Sequence, residues 1–83
     1  RMPLPDDYNE LLKSKIADLN NISSSNYGGA ITAALFLKNF VGETPWTHID
    51  IAGTARGSKR KHYWPVYGTG FGVRLMLEWL RKN

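Results

Sequence analysis

The sequence predicts an α/β fold, a central strand flanked by helices, with about three helices and one or two strands. After Pro45, the residues Thr47, Ile49 and Ile51 alternate with Trp46, His48 and Asp50. Period-two alternation rich in β-branched and aromatic residues marks a strand over 46–52. Apolar segments of helical periodicity lie on both sides of it, at 30–41 and 70–81. The strand runs into Ala52-Gly53-Thr54-Ala55, all small, a composition that lets its end approach other backbone or a ligand closely.

In chain order, residues 1–7 are irregular and contain Pro3 and Pro5. Asp6 or Asp7 is placed to cap a first helix, and Glu10 follows Asp7 at capping-box spacing. Tyr8, Leu11, Leu12 and Ile16 form its apolar stripe, with Asn9, Glu10, Lys13 and Lys15 toward water. Ser23 to Gly29 are turn residues and predict a structured loop. Asn21-Ile22-Ser23 matches a glycosylation acceptor pattern, read as chance in a sequence showing no secretory signal. From Ala30 to Val41 only Thr32, Lys38 and Asn39 are polar, which predicts a helix buried on most sides and ended by Gly42. Beyond the strand, 53–70 reads as a long loop anchored by packing of Tyr63, Trp64 and Tyr67. Thr69 is placed to cap a last helix from about Gly70 to Arg81, with Phe71, Val73, Leu75, Met76, Leu77, Trp79 and Leu80 as its apolar set. Basic residues at its end suit the helix dipole.

A chain of 83 residues holds at most one small domain and buries about 60–65% of the surface that its unfolded form exposes. With 42% hydrophobic residues and three Trp, it is not a disordered chain. So much apolar side chain on so short a sequence predicts a piece of something larger or an obligate oligomer. The lack of Cys excludes disulfides and thiolate metal sites and fits a reducing cytosol. No charged start leads into an apolar run, and the longest apolar run falls far short of the ~20 residues that span a bilayer. The expectation is a soluble chain with no membrane partner. The net charge of +4 is uneven, with Arg56, Lys59, Arg60 and Lys61 close together. Such a run meets nucleic acid or headgroups in some proteins and is a solvated loop in most. The alternative function left open is a stand-alone binding or assembly module using the basic 56–61 loop, with nucleic acid a disfavoured partner.

The chemistry-bearing motifs are weak. Gly68-x-Gly70-x-Gly72 precedes a helix, but a dinucleotide fingerprint needs other spacing and a strand directly before it. Ser58-x-x-Lys61 lacks the companion elements of penicillin-binding enzymes. His48 and Asp50 share a strand face and could begin a metal site, but no second cluster completes it, so they read as a buried, hydrogen-bonded structural pair. The acids are dispersed, unlike the clustered carboxylates of a two-metal hydrolase.

Longer stretches are more specific. Gly29-Ala30-Ile31-Thr32-Ala33-Ala34-Leu35-Phe36-Leu37, the segment from Pro45 to Ala55, and Thr69-Gly70-Phe71-Gly72-Val73-Arg74-Leu75 resemble, in order, the C-terminal end of leucyl (cytosol) aminopeptidases. Arg1-Met2-Pro3-Leu4 and Lys13-Ser14-Lys15-Ile16-Ala17-Asp18-Leu19 fit the same family. The resemblance implies that 1–83 is the C-terminal portion of a catalytic domain, without internal boundary, in which helices flank a central mixed sheet. It implies a cytoplasmic enzyme that removes N-terminal residues from peptides using zinc or manganese, one metal polarising the scissile carbonyl while a bridging water attacks. It also implies homohexamers. The family's metal ligands and catalytic Arg lie upstream of the matched segments, so the resemblance assigns this chain no catalytic residue and no metal ligand. Without the remainder of the catalytic domain it is expected to be inactive and metal-free. What it assigns is one wall of the pocket for the substrate's N-terminal side chain: Ala52, Gly53 and Ala55. Some positions depart from the family pattern. Arg56 stands where many bacterial members have Trp, Ser24 and Ser25 where glycines are common, and Val66-Tyr67-Gly68-Thr69-Gly70 where Lys-Gly-Ala-Thr-Gly is more frequent.

Overall fold

The computed structural model describes residues 1–60, 62 and 65–83. Lys61 of the basic run and the expected anchors Tyr63 and Trp64 lie outside the described residues. The elements are a 3₁₀ helix (Asp6–Leu12), α1 (Gly29–Lys38), β1 (Arg56–Gly57), β2 (Tyr67–Gly68) and α2 (Val73–Lys82). Contacts gather them into two units, Arg1–His48 and Ile49–Asn83. Helices and a sheet are both present, as the α/β reading requires, but the sheet is not where the alternation placed it.

The first helix is shorter and tighter than expected. Pro5, not an Asp, occupies the N-cap position, and no side chain caps the helix. Glu10 turns instead to Lys13, at 2.7 Å with both side chains mostly exposed, a pairing of little energetic weight. The helix stops at Leu12 because the next polar side chains offer the backbone other partners. Ser14 Oγ accepts from the N–H of Ile16 and Ala17 (3.2 and 3.1 Å). Asn20 Nδ2 donates to Lys13 O (2.6 Å), and the backbone N–H groups of Asn20 and Ser24 donate to Leu12 O and Leu11 O (2.8 and 3.0 Å). Ile16, expected on the apolar stripe, is 98% exposed.

The Ser-rich stretch is the structured loop that its composition predicts. Ser23 and Ser25 hydroxyls accept from the N–H groups of Ser25 and Tyr27. The loop closes at Gly28, whose φ of +66° precedes α1 and whose missing Cβ would sit 3.2 Å from the Tyr8 ring. Helix α1 packs Ile31 and Leu35 on Leu12, with Leu4, Leu19 and Phe36 around them. It buries one face only, since Leu37 and the following Phe40 are exposed. It ends three residues before Val41: Asn39 Nδ2 caps Leu35 O (2.8 Å), and i→i−3 bonds tighten the chain toward Gly42 (φ +56°).

From Pro45 to Ile51 the backbone forms no strand, and among the described residues no segment pairs with it. Alternation makes a segment fit for a sheet, but a ladder needs a neighbour to supply its hydrogen bonds. The period-two geometry does survive locally: the rings of Trp46 and His48, two residues apart, lie 6.1 Å from each other. The sheet that forms is the antiparallel pair β1–β2, with Arg56 opposite Gly68 and Gly57 opposite Tyr67, inside the stretch expected to be a loop. Helix α2 begins at Val73, after Gly72 (φ +90°), later than the expected Gly70. Its apolar residues Val73, Leu75, Leu77, Trp79 and Leu80 are all exposed.

Candidate functional site

Ala52, Gly53 and Ala55 come together in one tight turn that follows Ile51. Ile51 O accepts the N–H groups of Thr54 (3.0 Å) and Ala55 (2.8 Å), and the Thr54 hydroxyl also donates to it (3.2 Å). Asp50 Oδ1 accepts the N–H of Ala52 (2.9 Å), an Asx-type bond that sets the turn's first residue. Ala52 and Gly53 are exposed and Ala55 is half-buried. A Cβ at Gly53 would meet nothing within 4 Å, and its φ lies outside the left-handed region, so the turn itself does not require glycine at that place.

The turn is fastened to the chain some fifteen residues on. Thr69 donates its N–H to Ala55 O (2.9 Å) and its hydroxyl to Thr54 O (2.6 Å). The same hydroxyl accepts the N–H of Phe71 (3.2 Å), so Thr69 closes a turn ahead of α2 and is not the helix cap that the sequence suggested. Each such bond contributes about 0.5–1.5 kcal/mol net. Next to it, the Arg56 guanidinium lies 5.5 Å from the centre of the Tyr67 ring, within cation–π range. Arg56, Gly57, Ser58, Val66 and Tyr67 line a shallow cleft at this hairpin. Periodicity could not reveal these contacts, because they join residues far apart in sequence; a Thr ahead of a glycine-rich helix start was their only local signal.

The expected buried His48–Asp50 pair does not form. Asp50 is exposed and spends its carboxylate on the Ala52 N–H, while half-buried His48 has Trp46 as its aromatic neighbour. The alternation put them on one strand face, and that strand is not built. Among the described residues no group of three or more His, Cys, Asp or Glu side chains could hold a metal ion. Of the basic run, Arg56, Lys59 and Arg60 are exposed. Among the described residues no helix is long and apolar enough to cross a membrane.

Residues 1–77 match the family model described as "Cytosol aminopeptidase family, catalytic domain". A probable cytosol aminopeptidase of Brucella melitensis is 55% identical over 76 residues, which cover 92% of this chain and 16% of that protein. Those of Rhizobium rhizogenes and Geobacter sp. (strain M21) are 54% and 55% identical over 83 residues, all of this chain and 16% and 17% of theirs. The chain thus spans about one-sixth of the length of the curated relatives it matches.

Proposed function

Because the chain belongs to the cytosol aminopeptidase family, matching its catalytic-domain model over residues 1–77, we propose that it works as the C-terminal part of an enzyme that removes N-terminal residues from peptides. The single observation carrying this reading is identity of about half or more of the residues across the chain to proteins named as probable cytosol aminopeptidases. The geometry supports a role in substrate binding. A turn of small residues, stripped of polar side chains except Thr54 and held from outside by hydrogen bonds, suits the wall of a pocket for an aliphatic side chain. We assign that wall to Ala52, Gly53 and Ala55, which leave room for a group of leucine size.

The family resemblance implies zinc or manganese for the whole enzyme. Among the described residues, no set of side chains in this chain fits such an ion. The donors are dispersed, and Asp50, one of the few near the turn, already accepts a backbone N–H. We assign the chemistry at the scissile bond to residues outside this chain, where the family resemblance places the metal ligands and the catalytic Arg. What these residues do is bind: they exclude water from an apolar side chain and limit its size. The hexameric assembly and cytoplasmic setting implied by the resemblance belong to the same proposal, as does contact with the remainder of the catalytic domain.

The test is hydrolysis of leucine amide by the complete enzyme and by the 83-residue chain, each with added zinc or manganese. The complete enzyme turns over; the isolated chain does not, and calorimetry finds no stoichiometric metal site of micromolar affinity in it. Metal-dependent turnover that copurifies with the isolated chain would overturn the assignment of chemistry to residues outside it. A complete enzyme inert toward amino-acid amides and peptides would overturn the function itself.

A further inference from the structure

We propose that Thr69 is a positioning residue for the 52–55 turn and thereby sets how large an N-terminal side chain the enzyme admits, an inference that rests on the reading of that turn as the pocket wall. The turn cannot hold itself in place. Ala52, Gly53 and Ala55 carry no polar side chain, and a Cβ at Gly53 would meet nothing within 4 Å. Its N–H groups at Ala52, Thr54 and Ala55 bond inward, to Asp50 Oδ1 and Ile51 O, which fixes the turn's shape but not its position. Position comes from the carbonyls of Thr54 and Ala55, and Thr69 takes both, through its hydroxyl at 2.6 Å and its N–H at 2.9 Å. The hydroxyl is used in both directions, since it also accepts the Phe71 N–H at 3.2 Å. One residue, through its hydroxyl and its backbone N–H, thus ties the turn to the segment that starts α2, beside the Arg56–Gly68 pairing of the hairpin. A binding wall displaced by a fraction of an ångström changes what fits against it. The largest substrate side chain should feel the displacement most.

Thr69→Val in the complete enzyme removes the hydroxyl and keeps both the backbone N–H and the branched shape; Thr69→Ser keeps the hydroxyl. The measurements are kcat and KM for leucine amide and alanine amide, with the melting temperature of each variant. Thr69→Val should raise KM for leucine amide about 3- to 10-fold relative to alanine amide, the size of one lost hydrogen bond, with kcat changed less. Thr69→Ser should restore the wild-type ratio. A residue that only stabilised the fold would lower the melting temperature and the active fraction for both substrates alike, leaving both KM values unmoved. That result, or a Ser variant that shifts the ratio as far as the Val variant, overturns the proposal. If Thr69→Val does not fold, Thr69→Ala makes the same comparison. Ala55→Met tests the pocket separately: it should disfavour leucine against alanine by about 10- to 200-fold. A ratio moved by Ala55→Met but not by Thr69→Val removes Thr69 alone. A ratio unmoved by Ala55→Met in folded enzyme removes the turn from the pocket.

Discussion

Tyr67 holds a backbone φ of +75°, in the left-handed region that side chains other than glycine rarely adopt. That conformation costs an L-residue roughly 1–2 kcal/mol. The ring recovers part of it, since the Arg56 guanidinium stacks over it for about 0.5–1 kcal/mol at an exposed site. By the resemblance set out above, this position is expected to be glycine more often, where the same φ carries no penalty, and Arg56 to be Trp in many bacterial members. The two departures lie on neighbouring strands in diagonal positions, Arg56 opposite Gly68 and Tyr67 opposite Gly57, and touch through the guanidinium and the ring, next to the candidate pocket wall. Tyr67→Gly relieves the strain, loses the stacking and adds about 0.4–1 kcal/mol of unfolded-chain entropy, so it should leave stability within about 1 kcal/mol. Tyr67→Val keeps the strained φ, makes it worse by β-branching and loses the ring, and should cost about 1–2 kcal/mol. Thermal melts of the two variants of the complete enzyme check this; a Val variant as stable as the Gly variant would remove strain from the account.

The helices differ in what holds them. Helix α1 has a core: Leu35 is 1% exposed against Leu12, also 1% exposed, with Ile31 beside them. Helix α2 has the stronger sequence pattern, with Arg74, Glu78 and Arg81 along one stripe and Val73, Met76, Leu77 and Leu80 along another, yet none of its residues is buried. Its remaining local supports are a 3.2 Å Glu78–Lys82 pair and the Asn83 side chain on Trp79 O, each worth little alone. Burial, not periodicity, therefore ranks the two. Leu35→Ala should cost about 2–5 kcal/mol, enough to abolish a cooperative urea transition in an 83-residue chain of marginal stability. Leu80→Ala should change that transition by no more than about 0.5 kcal/mol. Equal effects of the two substitutions would contradict the assignment of the core to the contact of α1 with the 3₁₀ helix.

Across the whole molecule, apolar burial and charge separate along the chain. Among the described residues, the buried ones, Leu12, Ile31, Thr32, Ala34 and Leu35, belong to the unit Arg1–His48. The unit Ile49–Asn83 holds the turn, the hairpin and α2, and between Asp50 and Glu78 it carries Arg56, Lys59, Arg60, Lys61 and Arg74 with no acid. Neither ion pair found among the described residues includes Arg56, Lys59, Arg60 or Arg74. A surface of this kind meets phosphates weakly whatever its function. Phosphate contacts by Arg56, Lys59 and Arg60 give a salt slope near −2 on single strands, hence about a 20-fold loss of affinity between 50 and 200 mM salt. Titration of the 83-residue chain with single-stranded RNA should show that loss. Submicromolar binding that survives 200 mM salt would instead favour a binding module built on the 56–61 loop.

Local pattern determined much of this protein. The two helices (expected at 30–41 and 70–81, found at 29–38 and 73–82), the serine turns before Gly28 and the small residues at 52–55 are all legible because each depends on residues close together in sequence. The order of the long motifs was enough to point to the family, since matched segments in register carry far more information than any one glycine spacing. Only the tertiary structure decided where the first helix stops, which required Asn20 and Ser24 to reach back to Leu12 and Leu11. It alone showed that 46–51 finds no pairing partner among the described residues and that Arg56 pairs with Gly68. It alone brought Thr69 onto the carbonyls of Thr54 and Ala55. A side chain's periodicity is a property of one segment, but a ladder, a buried face or a fastened turn belongs to two, and the second partner cannot be read from the first.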